Sequence, residues 1–360
     1  MHPSGSSAVR LDVHACTIPT DEPESDGPME WDSTTIVIVE AHVGDATGIG
    51  YTYCESVAAD LSRSKLADLV HEDVRASWLA MNRAVRNAGR PGLASCALSA
   101  VDQALWDAKA RSLSAPLVDV IGAAHTDVPV YGSGGFCSYS LERLQEQLGG
   151  WASQGIPRVK MKLGREPERD PTRLDAAREA IGDDVELFVD ANGAFTPRRA
   201  LAASEDYAQT WNVSWFEEPV SSGDFAGMRF VREHAPAQIE IAAGEYAYVL
   251  EDVRNIRPCV DVLQLDVTRC GGITGVLSAS GIANAHSLDV SAHCAPAISG
   301  HVFCAVERRR HLEYFHDHVR VESMLFDGVL EPVDGSLRPD RSRPGNGLEL
   351  KRKEIERWAA

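Results

Sequence analysis

Asp190, Glu217 and Glu245 each close a short apolar segment, at spacings of 27 and 28 residues. The segments read Val185-Glu186-Leu187-Phe188-Val189-Asp190, Trp215-Phe216-Glu217-Glu218-Pro219 and Ile239-Glu240-Ile241-Ala242-Ala243-Gly244-Glu245. Each gap has room for one amphipathic helix, and a strand plus a helix at this repeat is the pattern of βα units on a parallel sheet. Where such a sheet closes into a barrel, the C-terminal strand ends meet at one mouth. Three carboxylates gathered there repel one another unless a hard cation sits among them. An oxygen-only donor set with room for water and substrate suits magnesium better than zinc.

The same beat carries other reactive groups. Lys160 and Lys162 lie in Arg158-Val159-Lys160-Met161-Lys162-Leu163-Gly164, with Lys162 standing 28 residues before Asp190. Strand side chains alternate, so the two lysines share a face. Adjacent ammonium groups and partial burial depress a lysine pKa and make a base usable near neutrality. Downstream, Val262-Leu263-Gln264-Leu265-Asp266 ends 21 residues past Glu245, Asp289-Val290-Ser291-Ala292-His293 ends 27 residues later, and Glu313 follows 20 residues on. Histidine titrates near neutral pH, and an aspartate partner fixes its tautomer.

The rest of the chain must position these groups. With 360 residues and 44% hydrophobic content, it can hold a barrel and a smaller domain. The first 125 residues have a different character. Residues 9–18, 34–43 and 48–53 alternate like antiparallel strands, and 61–87 and 93–112 show helical spacing, with Leu98, Val101, Leu105 and Trp106 on one face. Pro19 to Pro28 is acidic and proline-rich and reads as a mobile loop. The strand–helix alternation begins at Val128-Pro129-Val130-Tyr131, and turns dominate after about Met324. Fifty-three acids against 35 bases give a formal charge of −18, which disfavours nucleic acid and anionic membrane as partners. No apolar run is long enough to span a bilayer, the first six residues show no signal pattern, and the eight cysteines form no Cys-x-x-Cys pair. A cytoplasmic protein with reduced thiols is expected.

The motifs Val159-Lys160-Met161-Lys162, Val189-Asp190-Ala191-Asn192-Gly193, Phe216-Glu217-Glu218-Pro219, Ala243-Gly244-Glu245, Asp266 before Gly271-Gly272, and Ser291-Ala292-His293 follow one another at barrel spacing. In this order, together with Ala100-Val101-Asp102-Gln103-Ala104-Leu105-Trp106-Asp107 upstream, they resemble the enolase superfamily, mandelate racemase/muconate lactonizing enzyme family, mandelate racemase-like subgroup. The resemblance implies an α/β fold, a modified (β/α)7β TIM barrel over residues 126–323. An α+β capping domain over 1–125 would be completed by the tail, 324–360. It implies proton abstraction α to a carboxylate, giving an enediolate, with a Lys or His base and magnesium. Carried over, Asp190, Glu217 and Glu245 would be the metal ligands, and Lys162 the base on one substrate face with Lys160 lowering its pKa. His293, oriented by Asp266, would act from the other face, and Glu313 would hydrogen-bond the developing oxyanion. A homo-oligomer is implied by the family alone.

Glu218 should face the surrounding helices, and His316-Asp317-His318 reads as polar loop after the last strand. Gly132-Ser133-Gly134-Gly135 lacks dinucleotide spacing and a P-loop lysine, so it is expected to let substrate approach. Cys270 and Cys294 fall near the mouth with nothing to mark a nucleophile, and no Gly-x-Ser-x-Gly elbow exists. The reaction expected is dehydration of a mono-acid sugar, with racemisation or epimerisation as the alternative and a non-catalytic carboxylate binder as the competing class. Asp21, Glu22, Glu24 and Asp26 read as a solvated charge run; poised over the mouth instead, they would suit a substrate carrying an amine.

Overall fold

A computed structural model of the chain describes residues 9–360; the first six residues lie outside that range. Strands β1 (Arg10–Ser25), β2 (Glu30–Val43) and β3 (Ala46–Tyr53) form an antiparallel sheet. Helices α1 (Val57–Leu61), α2 (Val74–Ala84), α3 (Leu93–Ser112) and α4 (Leu117–Ile121) follow. Leu98, Val101 and Leu105 of α3 pack with Val37 and Val39 of β2 in one apolar cluster, with Trp106 against it.

Two expectations fail in this region. Residues 19–25 are strand rather than loop, and only 26–28 turn: β1 continues to Ser25 through a register shift between Pro19 and Glu24, so the acids lie on a long hairpin. The helical stretch at 61–87 is broken, because the chain passes through a π turn (Ser62–Leu66) and a 3₁₀ turn (Ala67–Leu69) before Asp73 caps α2 by accepting from the Ala76 N–H. No glycine or proline marks that break.

The barrel strands are β4 (Val128–Gly134), β5 (Arg158–Lys162), β6 (Glu186–Asp190), β7 (Val213–Glu217), β8 (Glu240–Ala243), β9 (Val262–Leu265), β10 (Asp289–Ala292) and β11 (Arg309–Phe315). All pair in parallel in chain order, and β11 pairs with β4 to close the barrel. Helices α5 (Leu141–Ser153), α6 (Asp170–Ile181), α7 (Pro197–Trp211), α8 (Phe225–His234), α9 (Leu250–Ile256), α10 (Gly272–Ala285) and α11 (Pro296–Val302) connect successive strands. Alternation then sorts the side chains. Val159, Met161, Leu187, Val189, Phe216, Leu263, Val290 and Leu312 join the apolar cluster under the helices. The residues between them turn inward, and Tyr131, Phe188, Trp215, Ala242 and Val262 plug the barrel beneath the mouth.

After β11 the chain turns directly into α12 (His316–Leu325), so His316, Asp317 and His318 begin a helix rather than a loop. The tail holds β12 (Phe326–Asp327), β13 (Ser336–Leu337), β14 (Glu349–Leu350) and α13 (Arg352–Arg357). β13 pairs antiparallel with β4 at the foot of the barrel. The tail also docks on the N-terminal sheet. Thr17 N donates to Trp358 O at 3.0 Å, Ala360 N to Ala15 O at 2.9 Å, and Asn346 Nδ2 to Ile49 O at 2.9 Å.

Candidate active site

Register brings the reactive residues to one level. Lys162 pairs with Asp190 and Asp190 with Glu217 across β5, β6 and β7, while Lys160, Phe188 and Trp215 form the layer below. Glu245 follows β8, Asp266 follows β9, His293 follows β10 and Glu313 lies on β11. The sequence-predicted site residues thus ring one mouth, and each is at most 6% exposed.

Asp190, Glu217 and Glu245 can each offer a ligand atom within 4.8 Å of the others. Burial first, then the Asp190 charge, pushes the Glu217 carboxyl up to about 8. Basic partners absent from the local sequence arrive through space. Lys160 Nζ lies 2.6 Å from Glu217, 2.7 Å from Glu313 and 3.3 Å from Asp190, and Lys162 Nζ is 2.6 Å from Asp190. This corrects the lysine argument. Burial, the largest effect, and mutual repulsion act to lower Lys162, but the Asp190, Glu313 and Glu217 carboxylates together outweigh them and hold it high. Lys160 is likewise held high, by Glu217 and Glu313 against its burial. A divalent cation fits this donor set: three buried, oxygen-only ligands, one of them pushed toward protonation by its neighbours.

On the far side, His293 Nδ1 hydrogen-bonds Asp266 Oδ2 at 2.7 Å, with Nε2 3.1 Å from Glu245 and 3.4 Å from Glu313. Asp266 also accepts from the Thr268 N–H at 2.6 Å and the Thr268 hydroxyl at 2.7 Å. Burial would raise Asp266, but His293 and Arg269 hold it low. In strand order, Lys162 and His293 flank the three carboxylates and their neighbour β9 on opposite sides.

Several contributors escaped the sequence reading. Arg269 reaches Glu245 at 3.3 Å and Asp266 at 3.4 Å, and it stands three residues after Asp266. Trp215 donates to Glu217 at 3.1 Å; its place two residues before Glu217 on the same strand face was the available signal. Ser133 donates to Glu313 at 2.5 Å. The glycines around Ser133 serve packing rather than substrate approach: a Cβ at Gly132 would lie 2.4 Å from Trp151, and one at Gly134 2.3 Å from Gln147. Cys294 lies 3.4 Å from His293 and 3.3 Å from Glu313, and burial and Glu313 keep its thiol protonated. Glu218 is buried with φ +36°, and burial and Glu245 hold its carboxyl high.

The β1–β2 hairpin closes over this ring. Cys137 N donates to Ser25 O at 2.8 Å, Ser138 to Pro23 O at 2.7 Å, and Arg165 pairs with Glu30 at 2.6 Å. At the tip, a Cβ on Gly27 would stand 2.5 Å from Ala191 O, beside the Asp190 strand end, so only glycine permits this approach. The hairpin acids are solvated only in part: Asp21 and Glu22 are exposed, Asp26 is half-buried and Glu24 is buried, and each has a partner. Asp21 meets His316 at 2.9 Å, Glu22 meets Arg143 at 3.2 Å, Glu24 accepts from Trp31 at 2.8 Å, and Asp26 accepts from the Met29 N–H at 2.7 Å.

The family models decide the relationship. Residues 25–122 match the mandelate racemase/muconate lactonizing enzyme N-terminal domain, and residues 143–354 match the enolase C-terminal domain-like model. The chain belongs to the mandelate racemase/muconate lactonizing enzyme family. It is 30% identical over 98% of both chains to a 3,6-anhydro-alpha-L-galactonate cycloisomerase from Streptomyces coelicolor. A mandelate racemase/muconate lactonizing enzyme-like protein from Rubrobacter xylanophilus matches at 57% identity and TM-score 0.96, over 98% of this chain and 99% of that one. The L-talarate/galactarate dehydratase of Salmonella typhimurium, solved with magnesium and L-lyxarohydroxamate, matches at 26% identity and TM-score 0.89, over 98% and 94%. The fold is thus the family's modified TIM barrel, the protein is an enzyme, and its cofactor is magnesium. No described helix is long and apolar enough to cross a membrane.

Proposed function

We propose that the protein is a magnesium-dependent dehydratase of a small sugar acid. The observation that carries this is the ring itself: Lys162 and His293 flank a buried three-carboxylate cluster at one barrel mouth. Asp190, Glu217 and Glu245 would hold the cation, which when bound supplies positive charge for the substrate carboxylate and offsets its own ligands. A bound cation would offset Asp190, whose charge holds Lys162 high in the metal-free site, leaving burial and Lys160, one layer below on the same strand face, to disfavour a second ammonium at Lys162. Lys162 Nζ then takes the proton α to the carboxylate, and the electron pair moves toward the carboxylate as an enediolate. Lys160 and His293 keep Glu313 ionised in the metal-free site, so it would hydrogen-bond the developing oxyanion only once protonated. Asp266 accepts from His293 Nδ1–H, leaving Nε2 to carry the transferable proton. As the pair returns, the bond to the β-hydroxyl breaks, Nε2 protonates the departing oxygen, and water leaves with an enol that becomes a 2-keto-3-deoxy acid.

Pairing of the hairpin acids with His316 and Arg143 removes the reason to expect an amine on the substrate, which favours a sugar acid. If the β-oxygen is tied in an anhydro ring, the same elimination opens the ring without losing water, and the relative named a cycloisomerase makes this a second reading. The proposal includes a cytoplasmic protein with no nucleic acid or membrane partner, supported by the charge and by eight free cysteines, and a homo-oligomer, supported by the family relationship alone. The test is a panel of sugar acids with magnesium in heavy water, read by proton NMR and product mass. A keto acid lighter by one water supports dehydration, and an isobaric keto acid supports ring opening. An isobaric non-ketonic product with deuterium at an inverted Cα would establish epimerisation instead.

A further inference from the structure

Where the hairpin meets the barrel, a second cluster stands apart from the catalytic ring. Asp21 and Glu24 of β1 and His316 at the start of α12 can each bring a ligand atom within 4.8 Å of the other two. Glu24 is fully buried; one carboxyl oxygen accepts from Trp31 Nε1 at 2.8 Å, and the other has no hydrogen-bond partner. A buried carboxyl oxygen left unpaired is costly unless something outside the protein meets it. The nearby guanidinium groups are already engaged. Arg320 holds Asp317 at 2.6 Å and Pro19 O at 2.7 Å, and Arg143 holds Glu22 at 3.2 Å and Glu146 at 3.4 Å, with Asp21 more distant at 3.6 Å. Asp21, Glu22, Glu24, Glu146 and Asp317 therefore face Arg143 and Arg320, five acids against two bases. This excess of acids favours a bound cation.

We propose that Asp21, Glu24 and His316 form a second divalent-cation site that pins the β1–β2 hairpin to the start of α12. One imidazole and two carboxylates, with water completing four-coordination, match zinc better than magnesium. Its ligands come from two elements separated by 295 residues in the chain, so the ion would bridge the cover of the mouth to the barrel. Being partly exposed at Asp21 and His316, the site can load from solvent.

The test measures zinc stoichiometry on chelator-stripped full-length protein by equilibrium dialysis against zinc chloride, for the parent, His316→Ala, Asp21→Asn and Glu24→Gln. The parent should bind one zinc more per chain than each variant, because any zinc taken by the catalytic carboxylates is common to all. In parallel, zinc should slow proteolytic cleavage within residues 19–30 at least tenfold in the parent and leave His316→Ala unchanged. Equal stoichiometry in the parent and His316→Ala overturns the site. Equal protection in both overturns the bridging role. Should Glu24→Gln fail to fold, the two exposed ligands carry the comparison.

Discussion

Replacing Asp266 by Asn tests the opposed-base arrangement most directly, because the structure dictates how the new side chain must sit. One Asp266 oxygen accepts from both the Thr268 N–H, at 2.6 Å, and the Thr268 hydroxyl, at 2.7 Å. In Asp266→Asn, the amide oxygen must stay there, since an NH2 in that place would face a backbone donor. The amide NH2 therefore points at His293 Nδ1, where a carboxylate oxygen now lies at 2.7 Å. Nδ1 can then only accept, so the proton moves to Nε2 and the nitrogen facing the substrate can no longer take one up. General acid–base catalysis by a positioned side chain contributes about 10²–10⁴-fold, so exchange through His293 should fall by that factor, about 3–5 kcal/mol of barrier. The assay is deuterium incorporation at Cα from heavy water for each α-epimer of an active substrate. Exchange on the Lys162 face should stay within about tenfold of the parent, since Asp266 does not touch Lys162. Loss of less than tenfold on the His293 face would refute the tautomer argument, and equal loss on both faces would refute the division of labour.

Further outcomes follow from the same geometry. Glu217→Gln removes a ligand and the Lys160 partner at 2.6 Å, and should weaken magnesium binding at least tenfold by calorimetry; unchanged binding would remove Glu217 from the ligand set. Gly27→Ala drives a methyl into Ala191 O at 2.5 Å, and should lift the hairpin tip, raising KM more than it lowers kcat and costing about 1–3 kcal/mol in urea unfolding. Glu40, bound by His14 at 3.1 Å and Arg352 at 2.5 Å, has its carboxyl lowered to about 2, with burial opposing and those partners prevailing. A lowered folded-state value means this stabilisation is complete above the ordinary carboxylate range and fades as pH falls through it toward about 2. Because Arg352 is 60% exposed, Arg352→Ala should cost only about 1 kcal/mol at pH 7 and progressively less below pH 4, followed by urea unfolding.

The barrel was legible because its strands carry two codes at once. Apolar residues such as Val159, Met161, Leu187 and Val189 alternate with Lys160, Lys162, Phe188 and Asp190, so period two alone separates the helix-packed face from the mouth. Spacing then located each strand end, and the resemblance supplied expected roles. What stayed hidden was set by pairs distant in sequence. Asp21 finds His316 across 295 residues, and the acidic stretch becomes strand because Glu24 and Ser25 are buried against β2 and the barrel. A composition rule sees four acids and prolines and reads solvent. The lysines were misjudged for the same reason: the repulsion between neighbours on β5 was visible, whereas Glu217 and Glu313 lie 57 and 153 residues away.

Those distant partners recast why the acids can gather at all. Asp190, Glu217, Glu245, Asp266 and Glu313 are five carboxylates, met in the metal-free ring by Lys160, Lys162 and Arg269. With His293 neutral, the ring is short by two positive charges, which one magnesium ion supplies. A substrate carboxylate then adds one negative charge, and Lys162 gives up one positive charge when it sheds its proton to act as base; protonation of His293 answers one of the two. On this count a monoanionic substrate and an imidazolium at His293 belong together, whereas a dianionic sugar acid needs a cation the ring does not contain. The ring therefore favours a mono-acid over a di-acid. Competition between a gluconate-type and a glucarate-type acid for the magnesium-loaded enzyme tests this, and tighter binding of the di-acid would show that a positive group outside the ring had been overlooked.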